Sequence, residues 1–109
     1  MTRRTLPQRR YAETFDLEFS LQAGGTLHHT ITVGYFPDTR EPAEVFVNGI
    51  KSGTDAEALA RDGAILLSLA LQHHVPLQTI TQAITRTPTG EPMTIVGALA
   101  DRLRQEVKP

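Results

Sequence analysis

The chain has 109 residues, no cysteine and a formal net charge of −1, a length that suits one domain and would leave two halves without a core each. The missing cysteine excludes a disulfide framework, a thiolate zinc site and a cysteine nucleophile, and no apolar run approaches the ~20 residues that span a bilayer, so the sequence reads as cytoplasmic with no membrane partner. The charge is uneven: Arg3, Arg4, Arg9 and Arg10 put +4 on the first ten residues and leave −5 on the rest.

Residues 1–12 read as a basic flexible arm and residues 13–109 as a single α+β domain. Guanidinium forks match phosphate and carboxylate oxygens bidentately, so Arg3, Arg4, Arg9 and Arg10 are candidate contacts for a nucleotide, a nucleic acid or an acidic protein surface. Residues 14–21 alternate, with Phe15, Leu17, Phe19 and Leu21 on one side and Thr14, Asp16, Glu18 and Ser20 on the other, the period of a half-buried strand. After the reversal Gln22-Ala23-Gly24-Gly25, residues 27–36 place Leu27, His29, Ile31, Val33 and Tyr35 on one face. A turn over residues 37–42 leads to a third short strand, Glu44-Val45-Phe46-Val47-Asn48, and the three form an antiparallel meander.

The period changes after Asn48-Gly49. Thr54-Asp55-Ala56-Glu57 has the spacing of a capping box, which opens a long central helix packed on the sheet. Its second half, Ala64-Ile65-Leu66-Leu67-Ser68-Leu69-Ala70-Leu71, is too broadly apolar for a one-sided surface helix, which predicts cover on more than one side and a homodimer. His73-His74-Val75-Pro76 ends it. A short helix over residues 77–85 buries Leu77, Ile80 and Ile84, and after the loop 86–92 a last helix over residues 94–107 carries Val96, Leu99, Leu103 and Val107 on one stripe. Strands first and helices after give the α+β class.

Lys51, Ser52, Gly53 and Thr54 stand directly before a helix N-terminus, where exposed amides beside a lysine accept phosphate or carboxylate. This turn is the strongest local ligand candidate, although it lacks the spacing of a phosphate-binding nucleotide loop and Thr54 with Glu57 can satisfy the same amides. The histidine pairs His28-His29 and His73-His74 do not chelate locally, because strand neighbours point to opposite faces and helix neighbours diverge by about 100°. Helix-end histidines also interact favourably with terminal carbonyls. Asp62 and Ser68 sit among apolar residues of the central helix, where a buried carboxylate suits either acid/base work or a structural hydrogen bond. The residues predict no metal and no cofactor.

The runs Glu44-Val45-Phe46-Val47, Lys51-Ser52-Gly53-Thr54-Asp55, Ser68-Leu69-Ala70-Leu71-Gln72-His73 and Val75-Pro76-Leu77 resemble the small domain near the C-terminus of adenosylcobalamin-dependent ribonucleotide reductases, also found free-standing and grouped as the TSCPD domain. The resemblance covers residues 14–103, and Arg3-Arg4-x-x-Pro7-x-Arg9-Arg10 is similar to the opening of the stand-alone members. Two departures stand out. Met93-Thr94-Ile95-Val96 occupies the place of the cysteine motif that names the family, and His74 replaces the usual glycine after the helix. The resemblance implies a fold and a neighbourhood in nucleotide metabolism, without the reductase's barrel, cobalamin site or active-site cysteines. The expected function is a non-enzymatic accessory or regulatory domain that binds a nucleotide, a nucleic acid or a protein. The alternative is a small metal-dependent or acid/base enzyme using His29, His73 or Asp62.

Overall fold

A computed structural model describes residues 2–20, 24–49 and 55–106. Three strands, β1 (Ala12–Ser20), β2 (Thr26–Tyr35) and β3 (Pro42–Gly49), precede three helices, α1 (Asp55–Gln72), α2 (Leu77–Ala83) and α3 (Ile95–Glu106). The sheet is an antiparallel meander of order β1-β2-β3, as the alternating pattern predicts.

Register follows from that pattern, because a one-residue slip would turn every apolar side chain to the wrong face. Phe15, Ile31 and Val47 share one cross-strand row, and Val33 pairs with Val45 beside it. Ile31 and Val33 are fully buried, whereas Phe15, Leu17 and Phe19 on the edge strand are half-buried. The opposite face is polar: Thr14 and Thr32 hydroxyls meet at 3.2 Å, and Thr30 donates to the Asp16 carboxylate at 3.3 Å. β1 begins two residues before the predicted start because Ala12 still pairs with Gly34, and the Tyr35 N–H donates to the Tyr11 carbonyl at 3.0 Å. Pro42, read as turn, opens β3. Proline is tolerated there as the first residue of an edge strand.

The helix α1 lies along β3 and blunts that edge of the sheet. Its inward stripe of Ala60, Ala64, Leu67 and Leu71 is buried, the small residues letting the helix approach closely. Two polar side chains then meet the outer edge of β3. The Ser68 Oγ accepts the Val45 N–H at 2.8 Å, with its own proton reaching the Ala64 carbonyl at 2.8 Å. The Gln72 Nε2 donates to the Ala43 carbonyl at 3.0 Å. Cover on more than one side of α1 comes from β3 and α3, but among the described residues Leu59, Leu66 and Ile65 remain 71%, 67% and 56% exposed. A three-stranded sheet offers one flank to a helix of 18 residues, and α3 reaches only its Gly63 side. A β-carbon on Gly63 would come within 2.6 Å of the Val96 Cγ2.

A Schellman turn closes α1. The His74 N–H donates to the Leu71 carbonyl and the Val75 N–H to the Ala70 carbonyl, each at 3.0 Å, with His74 left-handed at φ 65. The short helix ends at Ala83, with Ile84 extended. Its buried residue is Thr81, while the predicted core positions Leu77, Ile80 and Ile84 are half-buried. The last helix is capped by Thr94, whose Oγ1 accepts the Gly97 N–H at 2.9 Å. It buries Ile95, Leu99, Ala100 and Leu103, one turn of which, Leu99 to Leu103, was expected. Val107 lies outside the described residues. Arg86 ties these parts together. Its guanidinium spans both Asp101 oxygens at 2.7 and 2.9 Å and reaches the carbonyls of Thr81 and Gly90.

Candidate functional site

The arginines of the first ten residues meet the body of the domain. The Arg4 N–H donates to the Gln72 carbonyl at 2.8 Å, and the Arg3 Nε donates to the Gln72 side-chain oxygen at 2.5 Å. The Arg4 guanidinium lies 4.3 Å over the Phe36 ring and bonds Asp38 at 2.6 Å. That contact holds the Asp38 carboxyl below its ordinary range, chiefly through the hydrogen bond from Arg4. Arg10 pairs with the half-buried Glu44 and also donates to the Pro7 carbonyl at 2.7 Å. Arg9 is exposed. Three of the four candidate phosphate ligands therefore already hold internal acceptors. The other candidate set, Lys51, Ser52, Gly53 and Thr54, lies outside the described residues.

The histidines do not converge. His29 is buried on the inner face of the sheet beside Glu57, in the first turn of α1, whereas His73 follows the last turn of the same helix. At 1.5 Å per residue the intervening helix separates the two regions by about 24 Å. Burial is the main cause that lowers the His29 pKa from 6.5, with Glu57 opposing it and His28 adding to it. The His73 Nδ1 is 2.9 Å from the Leu69 carbonyl, so His73 serves the helix end as expected. His28 faces the other way and meets Glu18 at 3.2 Å. Among the described residues no group of three or more His, Asp or Glu is placed to hold a metal ion.

Asp62 is exposed, which corrects the inference that its apolar neighbours bury it. The stripe shared with Leu59 and Leu66 is the outward one. Ser68 holds the edge of β3, a structural role. An acid/base arrangement built on His29, His73 and Asp62 is thus not formed among the described residues: one is buried in the sheet, one terminates the helix and one is in solvent.

What the fold does assemble is an apolar surface. Phe46, on the outer face of β3, is 50% exposed. It flanks a groove of about 420 Å³ together with Ile65 and Leu69 of α1, and Arg3 and Arg61 stand at its rim. Leu59 and Leu66, seven residues apart, continue the surface around the helix. Scattered surface leucines need no explanation, but here the exposed large side chains group on one helix and the adjoining strand. The breadth of the apolar run in α1 was the sequence signal for it. Phe46 carried none, since a strand phenylalanine reads as core.

Three antiparallel strands followed by three helices, with α1 along β3, agree with the arrangement expected from the quoted segments, and the profile of the TSCPD domain matches residues 5–107. The chain belongs to the TSCPD domain family. No curated protein and no solved structure matches it. Membership is consistent with a domain related to ribonucleotide reductases. In this TSCPD domain the segment expected at the place of the cysteine motif holds an exposed Met93, the α3 cap Thr94 and the buried Ile95, so it secures a helix. No helix of the described residues is long and apolar enough to cross a membrane.

Proposed function

We propose that this TSCPD domain is a non-enzymatic accessory or regulatory module that works by docking on protein, in the first place on a second copy of itself. The observation that supports this reading is the exposure of Leu59, Ile65 and Leu66 on α1 beside Phe46 on β3. Fully burying one such side chain is worth about 1.5–3 kcal/mol, so an interface that covers several of them offsets the entropy of association. A two-fold contact through this face is self-complementary, because Leu59 of one antiparallel helix can meet Leu66 of the other. Sedimentation velocity is the test. The expected result is a dimer at high micromolar concentration that Leu66→Glu converts to a folded monomer; a wild-type chain that stays monomeric there removes the self-association reading.

The arm supports a second reading, in which the domain binds a nucleotide or nucleic acid. Arg9 is exposed and the Arg4–Asp38 pair is exposed on its acidic side, so a phosphate can take the place of Asp38. A thermal-shift screen with nucleotides and short DNA and RNA tests it, since any ligand that prefers the folded state raises its apparent stability. Affinity must fall steeply with salt, and must be lost when Lys51 and the four arm arginines become alanine. A silent screen removes this reading and leaves the protein-docking one untouched.

A further inference from the structure

A second concavity, of about 450 Å³, lies between the turn after β2, the corner joining α1 to α2, and the last turn of α3. Leu71, Val75 and Leu77 supply an apolar wall, and His74, Gln78 and Arg104 converge on it. That size and that mixture of an apolar wall with a few polar groups suit a small molecule.

Arg104 sets the chemistry. It is half-buried, yet among the described residues its guanidinium makes one hydrogen bond, to the Thr81 Oγ1 at 3.1 Å, and meets no carboxylate. Arg10 and Arg86, also partly buried, are neutralised by Glu44 and Asp101. A guanidinium carries five donors, and beyond the bond to Thr81 the others stay open to an incoming acceptor at the cleft. His74 is prepositioned at the same cleft. Its backbone is fixed by the Schellman bonds, and its ring stacks on Phe36 with centroids 6.4 Å apart and planes at 24°. Glu41, exposed at the rim, tempers the positive field of the cleft, which favours a carboxylate over a doubly charged phosphate without closing the site to either.

We infer that this cleft is a binding site for a small amphipathic anion, with its carboxylate or phosphate on Arg104, His74 and Gln78 and its apolar body against Leu71, Val75 and Leu77. Among the described residues the arm does not line this cleft.

Amide shifts of the full chain titrated with benzoate, phenyl phosphate and, as the neutral control, benzamide test the site. Saturable shifts are expected at Val75, Leu77, Gln78 and Arg104 with one or both anions, and the stronger of the two identifies the head group. Benzamide is expected to bind at least about tenfold more weakly, and Arg104→Gln to weaken the anions by at least about tenfold, the loss of one charge-assisted hydrogen bond. Should R104Q not hold its fold, His74→Gly, at a left-handed position that glycine suits, takes its place and must weaken binding severalfold. The inference is overturned by unmoved amides at about 10 mM anion, a millimolar affinity limit. Equal binding of benzamide, unchanged affinity in the variant, or shifts confined to residues 3–10 or 51–55 overturn it as well.

Discussion

The bond between Ser68 and the edge of β3 gives the sharpest test of how this sheet is finished. Val45 is 2% exposed, and its N–H points away from β2 to the Ser68 Oγ at 2.8 Å. In Ser68→Ala that donor loses its acceptor in a place water does not readily reach, a loss of about 1–3 kcal/mol. Two effects bear on the net value. The Ala64 carbonyl that receives the serine proton lies inside a helix and keeps its backbone donor, so it loses little. Alanine is also the better helix former, by about 0.5 kcal/mol. The expected net destabilisation is about 1–2 kcal/mol, which corresponds to a fall in melting temperature of about 4–10 °C for a domain of this size. Urea unfolding at fixed protein concentration measures it, with an unchanged slope showing that the transition is the same one. Hydrogen exchange localises it, because protection should fall at Val45 before it falls at Val33, which is paired on both sides within the sheet. A change below about 0.3 kcal/mol with Val45 protection intact would refute the view that α1 caps this edge through Ser68.

Other substitutions probe the remaining joints. Gly63→Ala sets a methyl group against Val96, where the approach is 2.6 Å; despite the better helix propensity of alanine it should destabilise by about 1–3 kcal/mol, and adding Val96→Ala should restore most of the loss in a double-mutant cycle. Arg86→Lys keeps the charge but cannot span both Asp101 oxygens and two carbonyls. It should lower the melting temperature, and a melting point equal to wild type would sink the clamp. The His29 pKa is lowered by burial from 6.5, so the unfolded chain takes up this proton at a higher pH than the folded one. Stability is therefore complete above about pH 6.5 and declines as pH falls below it. Urea midpoints between pH 7.5 and pH 5 should show a steeper decline for wild type than for His29→Gln, and parallel profiles would contradict the assignment.

The strands, their inward faces and their order were legible because a period of two leaves one face apolar, and a slip of one residue would bury Thr14, Asp16 and Glu18. The long helix and its stop were legible from apolar density and from Pro76. Asp62 and Ser68 were not. Both lie among apolar residues on the same helix, and only the direction in which α1 docks decides that Ser68 meets Val45 while Asp62 faces water. The arm shows the same limit. Four arginines in ten residues determine a charge, but whether Arg4 finds a phosphate or Asp38 depends on where the turn after β2 ends, some thirty residues away in sequence.

The amino-acid sequence by itself determined the fold class and the excess of apolar surface on α1, because periodicity and composition act over a few residues at a time, while the family was legible through the resemblance of its segments to known members. The tertiary structure alone decided which side of α1 is left uncovered, that His29 and His73 lie far apart, and that Arg104 and His74 share a cleft. Those outcomes depend on the position of α1 along one edge of a three-stranded sheet, and that position is set by small residues packing at a distance in the chain.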